Sequence, residues 1–194
     1  MKRIIIAFTI LLLLARCSEN DKHITDIDAN QEESQYVLPY PVGKTYMCWQ
    51  GRFTGGHNRW NLQYAQDFEM ELGSVVTAAR EGRVYLLDES VPENTGDDNI
   101  VNFVIILHED NTYSRYVHLG ENKIIVNVNQ LVSKGDTLAF TGNTGNTGGV
   151  PHLHFDVIES VQGVESQTLP IWFKNTKSHP DGVLTGEYYK AETY

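Results

Sequence analysis

Residues 142–157 read GNTGNTGGVPHLHFDV. From His152 onward polar and apolar residues alternate, the pattern of a strand in which residues two apart share a face. Leu153, Phe155 and Val157 are thus expected to face a core, and His152, His154 and Asp156 to face the other way. A face carrying two histidines and an aspartate is not a packing face. It is either solvated or a site, since His-x-His on a strand can deliver imidazoles to one metal ion or to acid/base chemistry. Gly142, Gly145, Gly148 and Gly149 permit a tight loop just before the strand. That loop either lines a groove or simply answers a need for positive φ.

Outward from this strand, short apolar or alternating runs are separated by turns. SVVTAAREGRVYLLDES (74–90) reads as two strands around a turn at Glu81–Gly82. NIVNFVIILHEDNTYSRYVHL (99–119) reads as a hairpin turning at Glu109–Asn111. KIIVNVNQ (123–130) alternates, and SKGDTLAFTG (133–142) is a turn followed by a strand. LPIWF (169–173) and GVLTGEYYKA (182–191) read as late strands that close the domain. With no long amphipathic helical pattern, these runs predict an all-β domain of antiparallel sheets.

The first residues have a different character. MKRIIIAFTILLLLARC carries Lys2 and Arg3 ahead of an apolar run too short for an ordinary membrane span, the shape of a secretory signal peptide. LLARC at its end resembles the lipobox of bacterial lipoproteins, in which the cysteine becomes the lipidated first residue, here Cys17. Arg16 departs from that pattern, because a small residue usually precedes the cysteine. Residues 18–35, SENDKHITDIDANQEESQ, are polar and acidic without apolar periodicity, the composition of a flexible tether. His23 within it is expected to do nothing. The expected organisation is a signal peptide at 1–16, a tether at 17–36, the folded domain at 37–175 and a C-terminal segment at 176–194 packing on that domain. The predicted location is the bacterial cell envelope, with the membrane reached through lipid on Cys17.

Cys48, in TYMCWQG, has no partner if Cys17 is acylated, and its apolar neighbours predict a buried, inert thiol. The formal net charge is −10 and grows more negative once Lys2, Arg3 and Arg16 are removed. Such a surface repels nucleic acid, which is excluded as a partner.

Two more segments bear on the histidine face. In SRYVHLG, Val117 and Leu119 alternate with Tyr116 and His118, which places His118 on a polar face with Tyr116. In GGHNRWNLQYAQDFEMELG (55–73), Asp67 lies between Ala65 and Phe68 in a stretch expected to be partly buried, and a buried carboxylate needs a partner or a metal. His57 precedes it by ten residues. Two imidazoles and one carboxylate on Zn²⁺ leave a fourth position for water, the catalytic arrangement.

The ordered segments GGHNRWNLQYAQDF, GSVVTAAREGRV, YSRYVHL, GDTLAFTGNTG and PHLHFDV resemble the lysostaphin/LytM-type zinc metallopeptidases over roughly residues 40–173. The resemblance implies zinc ligands at His57, Asp67 and His154, with His152 and His118 as catalytic base or stabiliser. It also implies a zinc-dependent endopeptidase acting on the stem or cross-bridge peptides of peptidoglycan. Many members have the first histidine and the aspartate only four apart; here the longer spacing resembles a branch with a YAxDF element. Activity that needs neutral histidines is expected to fall below about pH 6.

Three rival readings arise from the same residues. A cupin-type barrel could use His-x-His with Glu159, but His179 stands before its Pro and Gly rather than after them. A zinc hydratase could place both His152 and His154 on the metal, leaving Asp67 without a task. A non-catalytic wall-binding or hydrolase-regulating module could keep the fold without turnover. His108 is expected to shape the hairpin turn, and His179 to sit in a surface turn.

Overall fold

The computed structural model describes residues 31–59, 61–97, 100–161 and 166–194. The expected signal segment, Cys17 and His23 lie outside them. The described residues form eleven strands: β1 (Thr45–Gln50), β2 (Gln66–Glu69), β3 (Val75–Thr77), β4 (Gly82–Asp88), β5 (Phe103–Leu107), β6 (Tyr113–Val117), β7 (Leu119–Ile124), β8 (Leu131–Val132), β9 (Thr137–Thr141), β10 (His152–Ile158) and β11 (Tyr188–Lys190). Among the described residues the only helical element is a 3-10 turn, Gly55–Asn58. The architecture is all-β, as expected. Eight strands form one sheet in the order β11-β1-β2-β10-β6-β5-β4-β8, three form a second in the order β3-β9-β7, and every neighbouring pair is antiparallel.

β10 lies near the middle of the large sheet because its sequence has something to bury on both faces. Leu153, Phe155 and Val157 join Phe68, Tyr116 and Phe173 in the core. The core continues into the small sheet through Val76, Leu119, Leu138 and Ala139. On the other face of β10, His154 stands opposite Asp67 of β2 and Val117 of β6, and Asp156 opposite Arg115. Cys48 is free and fully buried in the core, and burial pushes its thiol up to about 12, so it is unreactive as expected.

The two strands around Glu81–Gly82 both form, β3 in the small sheet and β4 in the large one. Several local expectations need correction. LPIWF makes only isolated bridges, Phe173 with Tyr36 and, next to it, Thr168 with Ile158; Pro170 has no N–H to give a ladder. Of KIIVNVNQ, only Lys123 and Ile124 belong to a strand, and of GVLTGEYYKA only Tyr188–Lys190. His179 is in a turn but not at the surface: it is buried, and its Nε2 accepts the Phe173 N–H at 3.0 Å.

The 103–117 hairpin forms as read, and His108 anchors it. Its Nδ1 lies 2.8 Å from the Glu81 carbonyl and its Nε2 3.0 Å from the Ser114 hydroxyl. Burial pushes the imidazole down to about 4, although the Glu81 carbonyl pulls the other way. The unfolded chain therefore takes up a proton near pH 6.5 and the native chain only near 4. Stability is full above pH 6.5 and is lost as the pH falls through this window, by on the order of 3 kcal/mol from His108 alone. Urea unfolding at a series of pH values should show this slope in the native chain and its loss in His108→Gln. Equal slopes in the two would dismiss the assignment.

Candidate active site

Five side chains from four segments meet in one groove of about 540 Å³. Strand register places two of them: His154 on β10 faces Asp67 on β2 across one ladder step. His152 lies two residues along the same face. His57 arrives from the 3-10 turn and is buried. His118 arrives by a backbone exception. Alternation along β6 puts Tyr116 in the core, where its hydroxyl accepts the Ala79 N–H, and Val117 on the groove. The expected sharing of a face by Tyr116 and His118 is thus incorrect. His118 has φ 63°, a left-handed conformation that histidine tolerates better than most residues, and this turn brings its ring to the groove.

One bulge completes the set. Between β1 and β2 the register shifts, so that Cys48 opposes Phe68 in the core while Gln50 opposes Asp67. An extra residue re-aims the side chains after it. Gln50 Nε2 consequently donates to Asp67 Oδ2 at 2.7 Å.

The histidines are held from outside the groove. His118 Nδ1 lies 2.7 Å from the Thr144 carbonyl, His152 Nδ1 2.8 Å from the Val150 carbonyl, and His57 Nδ1 3.2 Å from the Gly51 carbonyl. A carbonyl only accepts, so each Nδ1 carries the proton and each Nε2 keeps its lone pair. The Thr144 carbonyl is placed by Gly145, whose φ is 75° and where a Cβ would meet Val101 at 2.9 Å. The glycine-rich loop thus does both things open to it: Asn146, Thr147 and Gly148 line the groove, and Gly145, Gly148 and Gly149 have positive φ.

His57, Asp67 and His154 bring one ligand atom each within 4.8 Å of one another. The chemistry of this set calls for a cation. His154 Nδ1 lies 2.8 Å from Asp67 Oδ1, and its Nε2 lies 3.1 Å from Asp156 Oδ2. Both neighbours are carboxylates that only accept, and a neutral imidazole has one N–H. A second proton or a metal must supply the rest. Burial alone would lower the His154 pKa, but the Asp67 charge and both carboxylate hydrogen bonds outweigh it and raise it to about 9. Asp67, although buried, is held well below the usual carboxylate range by the His154 charge and the hydrogen bond from His154. Asp156 is fully buried and saturated: Arg115 donates from Nε at 2.7 Å and from Nη2 at 2.6 Å.

The other two imidazoles are kept neutral. Burial, aided by the resistance of the neighbouring imidazoles His152 and His154 to another positive charge, depresses His118 to about 3. Burial likewise lowers His152, against the pull of Asp67. The two rings are 4.6 Å apart between centroids, and Trp49 packs on His152 at 5.0 Å.

The sequence model described as Peptidase family M23 matches residues 61–166. This chain belongs to peptidase family M23. Asp67, His118, His152 and His154 of this M23 chain fall inside the matched span; His57 lies just before it, so its place beside the others comes from the fold. Among curated proteins, peptidoglycan DD-endopeptidase ShyB of Vibrio cholerae is 31% identical over 143 residues, 68% of this chain and 30% of that protein. Peptidoglycan DD-endopeptidase ShyA of the same organism is 36% identical over 92 residues, 47% of this chain and 19% of that protein. The chain spans less than a third of the length of these relatives. The solved structure of the M23 metalloprotease pseudoalterin matches with TM-score 0.53 at 16% identity, covering 74% of this chain and 80% of that one. A catalytic domain variant of the prophage-encoded M23 protein EnpA from Enterococcus faecalis matches with TM-score 0.51 at 17% identity, covering 74% and 95%. At that identity the likeness is one of fold.

Around the groove of this M23 chain are also residues to which the sequence pattern assigns no role. Alternation puts Asp156 on the histidine face without a task, and it does not single out Arg115, Gln50 or Trp49. In SRYVHL it marks Arg115 as sharing a face with Val117; nothing in the sequence pairs Arg115 with Asp156.

Proposed function

We propose that this chain is a zinc-dependent endopeptidase that cuts peptide bonds in the stem or cross-bridge peptides of peptidoglycan, at the bacterial cell envelope. One observation carries the reading: a His57–Asp67–His154 triad, two of its members buried and His154 partly so, sits in an open groove beside two neutral imidazoles. Similarity to ShyA and ShyB, both named peptidoglycan DD-endopeptidases, supports the substrate. A signal segment and a lipid on Cys17 would place the protein where that polymer lies, and the mass of the mature amino terminus reads whether they do.

His57 Nε2, an Asp67 oxygen and His154 Nδ1 would hold the zinc. When bound, zinc supplies Lewis acidity that polarises a peptide carbonyl and makes water easier to deprotonate. Asp156 keeps the proton on His154 Nε2 and so leaves Nδ1 free. His118 and His152 each present an Nε2 lone pair to the groove, able to take a proton from the attacking water. Once protonated, the same atom donates to a developing oxyanion or returns the proton to the leaving amine. Asp67 beside His57 and His154 supports this set over a three-histidine zinc site, which would leave the carboxylate without a task.

Digests of purified sacculi test the reading. New amino termini on stem or bridge peptides should appear, vanish with a chelator and return with Zn²⁺. New reducing sugar ends would point to a glycosidase instead, a reaction that usually needs two carboxylates flanking the bond. No release, with zinc bound, would move the chain to a binding or regulatory role.

A further inference from the structure

We propose that the groove contains a carboxylate-binding subsite beside the metal triad, made by Arg59 and the outward edge of Arg115. The inference rests on the peptidase reading and narrows its substrate to peptides with a free carboxylate near the scissile amide.

The charge of the groove opposes that of the chain. The chain has 25 acidic and 15 basic side chains, yet among the described residues the groove is lined by one carboxylate, Asp67, and two guanidiniums, Arg59 and Arg115. Asp67 is turned to His57, His154 and Gln50, so a substrate ammonium would find no free carboxylate among the described lining residues. Arg115 is gripped from behind by the fully buried Asp156, through Nε and Nη2. Its Nη1 bonds to no described residue, and its side chain is 27% exposed. The buried carboxylate thus fixes the guanidinium plane before any ligand arrives, and little ordering is left to be done on binding. Arg59 ends the 3-10 turn that carries His57; it is exposed and forms no ion pair with a described residue. Planar guanidiniums match a carboxylate with two parallel N–H donors, and an uncharged bridge offers them nothing comparable.

Two synthetic cross-linked peptide dimers test this, identical except that the carboxylates flanking the scissile amide are free in one and carboxamides in the other. Binding is measured by calorimetry on the zinc-loaded full chain carrying His152→Ala, and kcat/KM on the full chain itself. The free-acid dimer should bind and be cut at least about tenfold better, a modest factor suited to a partly solvated site. Arg59→Gln should reduce that preference about fivefold and Arg59→Lys restore most of it. Arg115→Lys, whose single ammonium is engaged by Asp156, should lose the remainder with its zinc content unchanged. Equal treatment of the two dimers by the unaltered chain overturns the subsite, as does an Arg59→Gln loss that falls equally on both. Preferential binding without cleavage leaves the subsite standing and removes the endopeptidase reading; cleavage without preference does the reverse. Neither binding nor cleavage of either dimer overturns both.

Discussion

Replacing His154 by alanine should abolish zinc binding and hydrolysis together. Among the described residues His154 is the one that hydrogen-bonds both buried carboxylates, Asp67 at 2.8 Å and Asp156 at 3.1 Å. Without it Asp67 keeps Gln50 and His57, but the triad loses a ligand and Asp156 loses a donor. Zinc affinity should fall by more than the 10–100-fold typical of a residue that only supports a ligand. Asp156→Asn supplies that comparison: it should fall within the 10–100-fold range, since Asn can still accept from Nε2 but no longer balances Arg115. Removing one member of a buried ionic set can also cost about 3–5 kcal/mol of stability. Unfolding curves on the same samples therefore accompany metal analysis, and His154→Asn serves as a second variant if alanine does not fold. Full zinc occupancy in a folded His154 variant would remove this residue from the ligand set.

The legible and the hidden parts of the site divide along physical lines. The period-2 pattern of HLHFDV survives into β10 because it packs Leu153, Phe155 and Val157 against one core, and a slip of one residue would bury the histidines instead. Asp67 is legible as a buried carboxylate because apolar residues flank it. His118 reaches the groove for a reason alternation does not contain: its φ of 63° breaks the period of the strand before it. Gln50 is hidden for a similar reason, since the bulge on β1 turns it to the face that regular alternation denies it. The Arg115–Asp156–His154 chain is a matter of register between β6 and β10, which are far apart in sequence, and one chain alone does not state its register. The partition of β3 and β4 between two sheets is equally invisible, because a local turn at Glu81–Gly82 satisfies either arrangement. His179 has the Ser, Pro, Asp and Gly neighbours of a surface residue; its burial comes from contact with Phe173 and Tyr189.

His118→Ala and His152→Ala should keep the zinc and lose turnover. Neither ring belongs to the triad whose ligand atoms cluster within 4.8 Å, although His152 Nε2 comes to 3.8 Å from Asp67 Oδ2. Both are anchored at Nδ1 by backbone carbonyls, which leaves Nε2 for protons. Loss of a positioned general base typically costs 10²–10⁴-fold, and here it should appear in kcat with little change in KM. The pH profile sets these residues apart from merely structural ones. The working form is neutral, so acid removes function; but burial holds His118 down to about 3 and lowers His152. With zinc in excess, the acid limb should therefore lie below the pH 6 expected for ordinary histidines. A limb near pH 6 that excess zinc shifts downward would report protons competing for the ligands instead. If His152→Ala and His154→Ala lose zinc to the same degree, His152 is a ligand, and the division of labour between the two histidines of HLH is wrong.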